Sequence, residues 1–126
     1  MPHLKIAQWH TEAGGYNGRI AGHALRLLNE AIELCIVAGA SAGEISSRVG
    51  AEIAKAANRG EFEQQVTFEA VRAELADVIV TADVVAHYTG NVNMDIECTH
   101  KLEILKERKW EADSDGVLWR PGRIVK

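Results

Sequence analysis

Apolar residues recur at three-and-four spacing over four stretches of this chain, and glycines or capping residues punctuate them, which commits most of the sequence to α-helix. Over residues 19–38, Leu25, Leu28, Ile32, Cys35 and Ile36 share one face, and Gly39 stands where a helix C-terminus favours a left-handed residue. Ser41-Ala-Gly-Glu44 has the form of a capping box and opens a shorter helix with Ile45, Val49 and Ile53 as its inward stripe, ending near Asn58-Arg-Gly60. The longest segment, about 67–89, sets Val71, Leu75, Val78, Ile79, Ala82 and Val85 on one broad face, with Thr67 as N-cap and Gly90 as stop. A fourth helix follows Asn91-Val-Asn93, with Asn93 as cap and Asp95 and Glu97 in its first turn, where the dipole favours anions; it runs through Leu102 and Leu105 to about Trp110. No useful alternating pattern precedes residue 112. Residues 116–121 read as a short strand or extended arm, and residues up to Gly18 and 61–66 as irregular. The expected fold is all-α: a helical bundle of about four helices with short loops, forming one domain over residues 1–126.

Composition narrows the class. With 126 residues, 47% of them hydrophobic, the chain is long enough for a core and too apolar for intrinsic disorder. Charged residues or glycines interrupt every apolar run before the roughly 18 residues of a membrane span, and the first ten residues hold no secretory hydrophobic stretch. Cys35 and Cys98 sit in apolar helical context, so buried reduced thiols are expected rather than a disulfide framework, and with them a cytoplasmic location. A net charge of -4 argues against a general nucleic-acid coat.

Two acidic pairs carry the chemistry: Glu30 with Glu33, and Glu74 with Asp77. At i,i+3 the two side chains of a pair project from one helix face, a turn apart. Spacing alone is uninformative, because 18 acids in 126 positions give about two or three such pairs by chance and two are present. Context is informative: Glu30 and Glu33 lie inside Leu27-Leu-Asn-Glu-Ala-Ile-Glu-Leu-Cys-Ile-Val37, and Glu74 and Asp77 precede Val78-Ile-Val-Thr-Ala82. Carboxylates at the edge of an apolar core are costly unless their charge is compensated. Two readings stand side by side. Either the pairs face solvent or a basic neighbour such as Arg26 or Arg72, or they gather around divalent cations, for which Mg2+ and Mn2+ favour oxygen ligands. The fourth helix offers the opposite sign in Lys101, Lys106, Arg108 and Lys109. Lys101 and Arg108, seven apart, are expected on nearly one face, either binding phosphates or pairing with Glu103 and Glu107.

Glu-x-x-Glu on one long helix, Glu-x-x-Asp on another and a following helix ending in Lys-x6-Arg-x-Trp resemble the MazG-like all-α nucleoside triphosphate pyrophosphohydrolases. The resemblance runs through Trp9-His-Thr-Glu12, Ala24 to Leu34, Arg72 to Ile79 and Lys101 to Trp110. It implies a homo-oligomer (dimer or tetramer), two or more Mg2+ or Mn2+ ions per site, and cleavage of a nucleoside triphosphate between the α and β phosphates. Glu30, Glu33, Glu74 and Asp77 would be the metal ligands, Glu33 or Glu30 the carboxylate that orients or deprotonates the water, and Lys101 and Arg108 the phosphate contacts. The chain departs from compact members in the long interval of about 40 residues between its acidic pairs, and in Leu105, where many relatives carry Asn; Asn91 or Asn93 is expected to replace that polar contact. The long interval is similar to the phage MazZ branch, associated with dGTP hydrolysis that supplies dGMP in phages whose DNA contains 2-aminoadenine.

Other residues have narrower readings. Trp9, with His10 in a loop before the first helix, either stacks on a base or packs against protein. Gly14-Gly-Tyr-Asn-Gly18 lacks the lysine and hydroxyl of a phosphate loop and reads as a flexible turn. Asp83 and His87, four apart, either assist the metal site or make a local hydrogen bond, and Trp110 and Trp119 read as packing residues, within the chain or across subunits. Two other functions compete. A di-iron carboxylate bundle draws on Glu97-Cys-Thr-His100, yet needs two such motifs where the chain has one. A non-catalytic helical oligomerisation module would use the acids only to meet basic residues of a neighbour.

Overall fold

A computed structural model describes residues 3–124. The helical reading holds in outline, and the caps read from the sequence are where it holds best. Among the described residues five helices form, α1 (His3–Glu12), α2 (Ile20–Val37), α3 (Ala42–Asn58), α4 (Phe68–Tyr88) and α5 (Met94–Lys106), with one 3-10 turn at Glu61–Glu63. Strands β1 (Glu111–Ala112) and β2 (Leu118–Trp119) pair antiparallel, Glu111 opposite Trp119 and Ala112 opposite Leu118. The first helix corrects the expectation of about four helices and an irregular start. Its sequence has no strong three-and-four stripe; contacts with distant residues hold it, Trp9 standing edge-on to Trp110 at 5.6 Å and His10 to His23 at 5.4 Å. No helix of the described residues is long and apolar enough to cross a membrane.

The chain divides into two compact units, Met1–Leu28 with Ala86–Lys126, and Asn29–Val85; the boundaries fall within α2 and α4. In the first unit, Leu102, Val117 and Leu118 form the buried apolar core. The turn between β1 and β2 is organised by one carboxylate. Asp113 Oδ1 accepts the amides of Asp115 (2.9 Å) and Val117 (3.0 Å), and Oδ2 accepts the Trp119 indole N–H at 2.8 Å. Gly116, at φ 83°, lies against the Tyr16 carbonyl so closely that any Cβ would overlap it. Residues 14–18 are therefore no flexible turn: the Tyr16 and Gly18 amides donate to the carbonyls of Gly116 and Asp115, and Arg19 pairs with Asp115 at 3.2 Å. The indole of Trp110 donates to the Leu105 carbonyl at 2.9 Å, turning the chain back where α5 ends at Lys106 rather than near residue 110.

In the second unit, α2 and α3 are joined by a connection whose amides from Ala38 to Ser41 are all bonded. The amides of Gly39 and Ala40 donate to the carbonyls of Ile36 and Cys35, a Schellman closure with Gly39 at φ 98°. The next residue begins the capping box, with the Glu44 amide donating to Ser41 Oγ at 3.0 Å and the Ser41 amide to Glu44 Oε1 at 2.9 Å. Hydrogen bonding from the Ser41 amide, and then from its side chain, to the charged form holds the Glu44 carboxyl below its ordinary range. Thr67 caps α4 as expected, accepting from the Ala70 amide.

Burial departs from expectation in this unit. No residue from 29 to 85 is buried; Ile45, Val49 and Val71 are half-buried, while Ile53 is 54% exposed and Leu75, Val78 and Ile79 are exposed as well. Cys35 is exposed and Cys98 half-buried, both as free thiols, where buried ones were expected. Amphipathic spacing specifies that a face needs a cover, not that the same chain supplies it. Ser41→Ala is expected to leave the Glu44 amide without its acceptor and to speed its hydrogen exchange about fivefold, measured residue by residue by NMR.

Candidate functional site

The acidic pairs sit on helices as the sequence places them. Glu30 and Glu33 lie in the second half of α2, Glu74 and Asp77 in the first half of α4, and all four belong to the unit Asn29–Val85. Each pair is one helical turn apart and each of the four residues is exposed. The expectation that they stand at the edge of a core is therefore not met within one chain, because the core expected beside them is not formed. Among the described residues, no group of three or more His, Cys, Asp or Glu side chains is gathered closely enough to hold a metal ion. The carboxylates of Glu33, Glu74 and Asp77 have no hydrogen-bond or ion-pair partner among the described residues, so Arg72 does not compensate them. Arg26 lies over the Trp119 ring, 4.8 Å from its centroid. The donor set itself is all oxygen and anionic, the chemistry that suits Mg2+ or Mn2+.

The remaining candidates fall in the other unit. Lys101 is exposed on α5 and Arg108 is half-buried just past the helix end, so the seven-residue spacing no longer sets them on one helical face. Lys106 pairs with Glu103 at 3.3 Å, whereas Lys101 and Arg108 have no side-chain partner among the described residues; same-helix pairing absorbs Lys106 and leaves those two cations uncommitted. Trp9 belongs to α1 rather than to a loop, and its ring contacts Trp110 and His10. Asn91 adopts φ 56° after Gly90, and its Oδ1 lies 2.6 Å from His87 Nδ1; an amide oxygen accepts, so Nδ1 donates. His87 thus bonds Asn91, not the Asp83 expected from spacing. Asn93 caps α5 as read, accepting from the Ile96 amide at 3.2 Å, and with Asp95, Ile96, Thr99 and His100 it lines a shallow cleft. Both asparagine oxygens are spent on local structure.

Sequence reasoning missed the polar cluster around the β1–β2 turn. Its signal was Asp113-Ser-Asp-Gly116, a turn sequence whose first carboxylate is placed to accept following amides. Desolvation pushes the Asp113 carboxyl up, but the bonds from the Trp119 indole and the Val117 and Asp115 amides, with attraction to His23, outweigh it and hold it below its ordinary range.

Compared with protein-family models, curated proteins and solved structures, the chain matches none.

The folded state favours ionised Asp113, so its contribution to stability is complete above the unfolded carboxyl value of about 3.9 and is lost as pH falls through the depressed folded value. Asp113→Asn turns one oxygen into a donor; the Trp119 indole proton is expected to shift toward its solvent-exposed position and to lose that acid transition, both read in an NMR pH titration.

Proposed function

We propose that the chain is a metal-dependent nucleoside triphosphate pyrophosphohydrolase of the MazG-like kind, working as a homo-oligomer. One observation carries the proposal: two acidic pairs, each a helical turn apart, lie on apolar helices of one unit, and the carboxylates of Glu33, Glu74 and Asp77 are spent on no bond among the described residues. The uncovered apolar side chains of that unit support the oligomer. A unit without a buried residue lacks the main driving force for its own folding, and a second copy brings an identical, self-complementary face.

In this reading Glu30, Glu33, Glu74 and Asp77 hold the divalent ions, which would lower the pKa of a bound water and neutralise triphosphate charge. Glu33 or Glu30 accepts a proton from the attacking water. Water oxygen bonds to the α-phosphorus, the bond from that phosphorus to the α–β bridging oxygen breaks, and the electron pair leaves with pyrophosphate, giving the nucleoside monophosphate. Lys101 and Arg108 offset phosphate charge; Trp9 offers an aromatic surface to a purine, and Asn91 and Asn93 polar contacts. The substrate in this reading is a purine nucleotide such as dGTP. A non-catalytic oligomerisation module is the second reading, favoured by the same uncovered faces; the di-iron reading gains no support from the single Glu97–His100 motif.

A panel of nucleoside triphosphates assayed with Mg2+ or Mn2+ separates these readings. Release of pyrophosphate and monophosphate, abolished by a chelator, is the expected result; diphosphate plus phosphate, or no turnover, contradicts it. Glu33→Gln is expected to lower kcat at least about 100-fold with helicity kept by circular dichroism. Lys101→Ala is expected to raise KM, lower kcat or both. Sedimentation is expected to give a multiple of 13.8 kDa, and Ile79→Asp to shift it toward the single chain.

A further inference from the structure

Two imidazoles meet in the unit formed by Met1–Leu28 and Ala86–Lys126, which holds none of the four carboxylates proposed to bind metal. The rings of His10 on α1 and His23 on α2 stand 5.4 Å apart between centroids, at an interplanar angle of 64°. His23 Nε2 lies 2.9 Å from the Tyr16 carbonyl oxygen; a carbonyl only accepts, so Nε2 carries the proton. The His10 ring covers Gly15 so closely that a Cβ at that position would overlap it. The chain around the pair is closed by three amides: Gly15 donates to the His10 carbonyl at 2.8 Å, Tyr16 to Gly116 at 3.2 Å, and Gly18 to Asp115 at 2.9 Å. The Tyr16 hydroxyl adds a bond to the Asp113 carbonyl at 3.0 Å. Moving the His10 ring out of this arrangement uncovers Gly15, at the head of the segment that bonds to the turn at 113–116.

The charges around the pair are unevenly placed. On α1, Glu12 accepts from Gln8 at 3.0 Å. On the 113–116 turn, Asp115 is engaged by Arg19 at 3.2 Å, and Asp113, with its three N–H donors, attracts a charge on His23. Arg26 on α2 is engaged over Trp119. One proton on His23 is thus answered by Asp113. A second proton, on His10, meets partial burial and a charged neighbouring ring.

We propose that His10 and His23 form an acid-released latch: with at most one ring charged it fastens α1 and residues 13–18 to α2 and the 113–116 turn, and with both charged it lets α1 and that segment go. The direction of titration agrees. Burial first, and His23 second, hold His10 below its ordinary range, so its contribution is full above the unfolded value of about 6.5 and is lost as pH falls through the lowered folded value. The latch does not depend on nucleotide hydrolysis, and its test needs no substrate.

Hydrogen exchange at the Gly15, Tyr16 and Gly18 amides, corrected for intrinsic rate, reads the latch on the full chain. Protection is expected to fall about tenfold or more between about pH 7.5 and about pH 5.5, with a midpoint that follows the His10 ring proton signal, while the Asp113 amide bonded to Val117 keeps its protection. His10→Phe keeps an aromatic ring over Gly15 without a charge and is expected to flatten the profile. His23→Gln keeps a donor for the Tyr16 carbonyl, removes the second charge and is expected to do the same should the first variant not fold. Constant protection in the wild type, a midpoint in the carboxylate range, or an unaltered profile in a folded variant would overturn the latch.

Discussion

Apolar side chains that a single chain leaves in water set the terms for everything in the unit Asn29–Val85. Caps and helix propensity are worth little against the entropy of ordering α3 and α4, and isolated helices of their length are marginal in water. Burial of an amphipathic face ordinarily decides the matter, and here Leu75, Val78, Ile79 and Ile53 remain exposed. The second copy we propose would supply that burial. It would also change the standing of the acidic pairs: carboxylates now comfortable in water would border a dry face, where anions are tolerated only beside compensating cations.

The other unit is held together differently. Its buried apolar set is small, and polar hooks on large rings do much of the positioning. Trp119 donates to Asp113, Trp110 to the Leu105 carbonyl and Tyr16 to the Asp113 carbonyl, while Trp9 and His10 offer ring edges and faces to their neighbours. An aromatic body with one directional bond fixes orientation as well as area, which suits a segment with two-residue strands and few apolar side chains to bury.

Local chemistry was legible in the sequence; partnership was not. Gly39, the Ser41–Glu44 box, Thr67 and Asn93 act on their own neighbours within four residues, and each is found in its expected part. Helix α1 escaped because Trp9 and His10 are held by residues far along the chain, and the end of α5 was misplaced because the Trp110 indole folds back onto Leu105. The acidic pairs were placed correctly on α2 and α4, since i,i+3 spacing is a property of a helix alone. Their convergence on one ion is not found among the described residues, for period tells which face a residue occupies and nothing about what will cover it.

The junction between α2 and α3 has a consequence for how the chain can vary over evolution. Gly39 and Ala40 close one helix and Ser41 begins the next, so every amide from Ala38 to Ser41 is bonded, and an inserted residue would have to break one of two caps. The connection from Gly60 to Thr67 is looser, with bonds of 3.3 Å in its 3-10 turn and Phe62 and Val66 largely in solvent. Length changes between relatives should therefore accumulate in the second connection and spare the first, with the angle from α2 into α3 inherited intact.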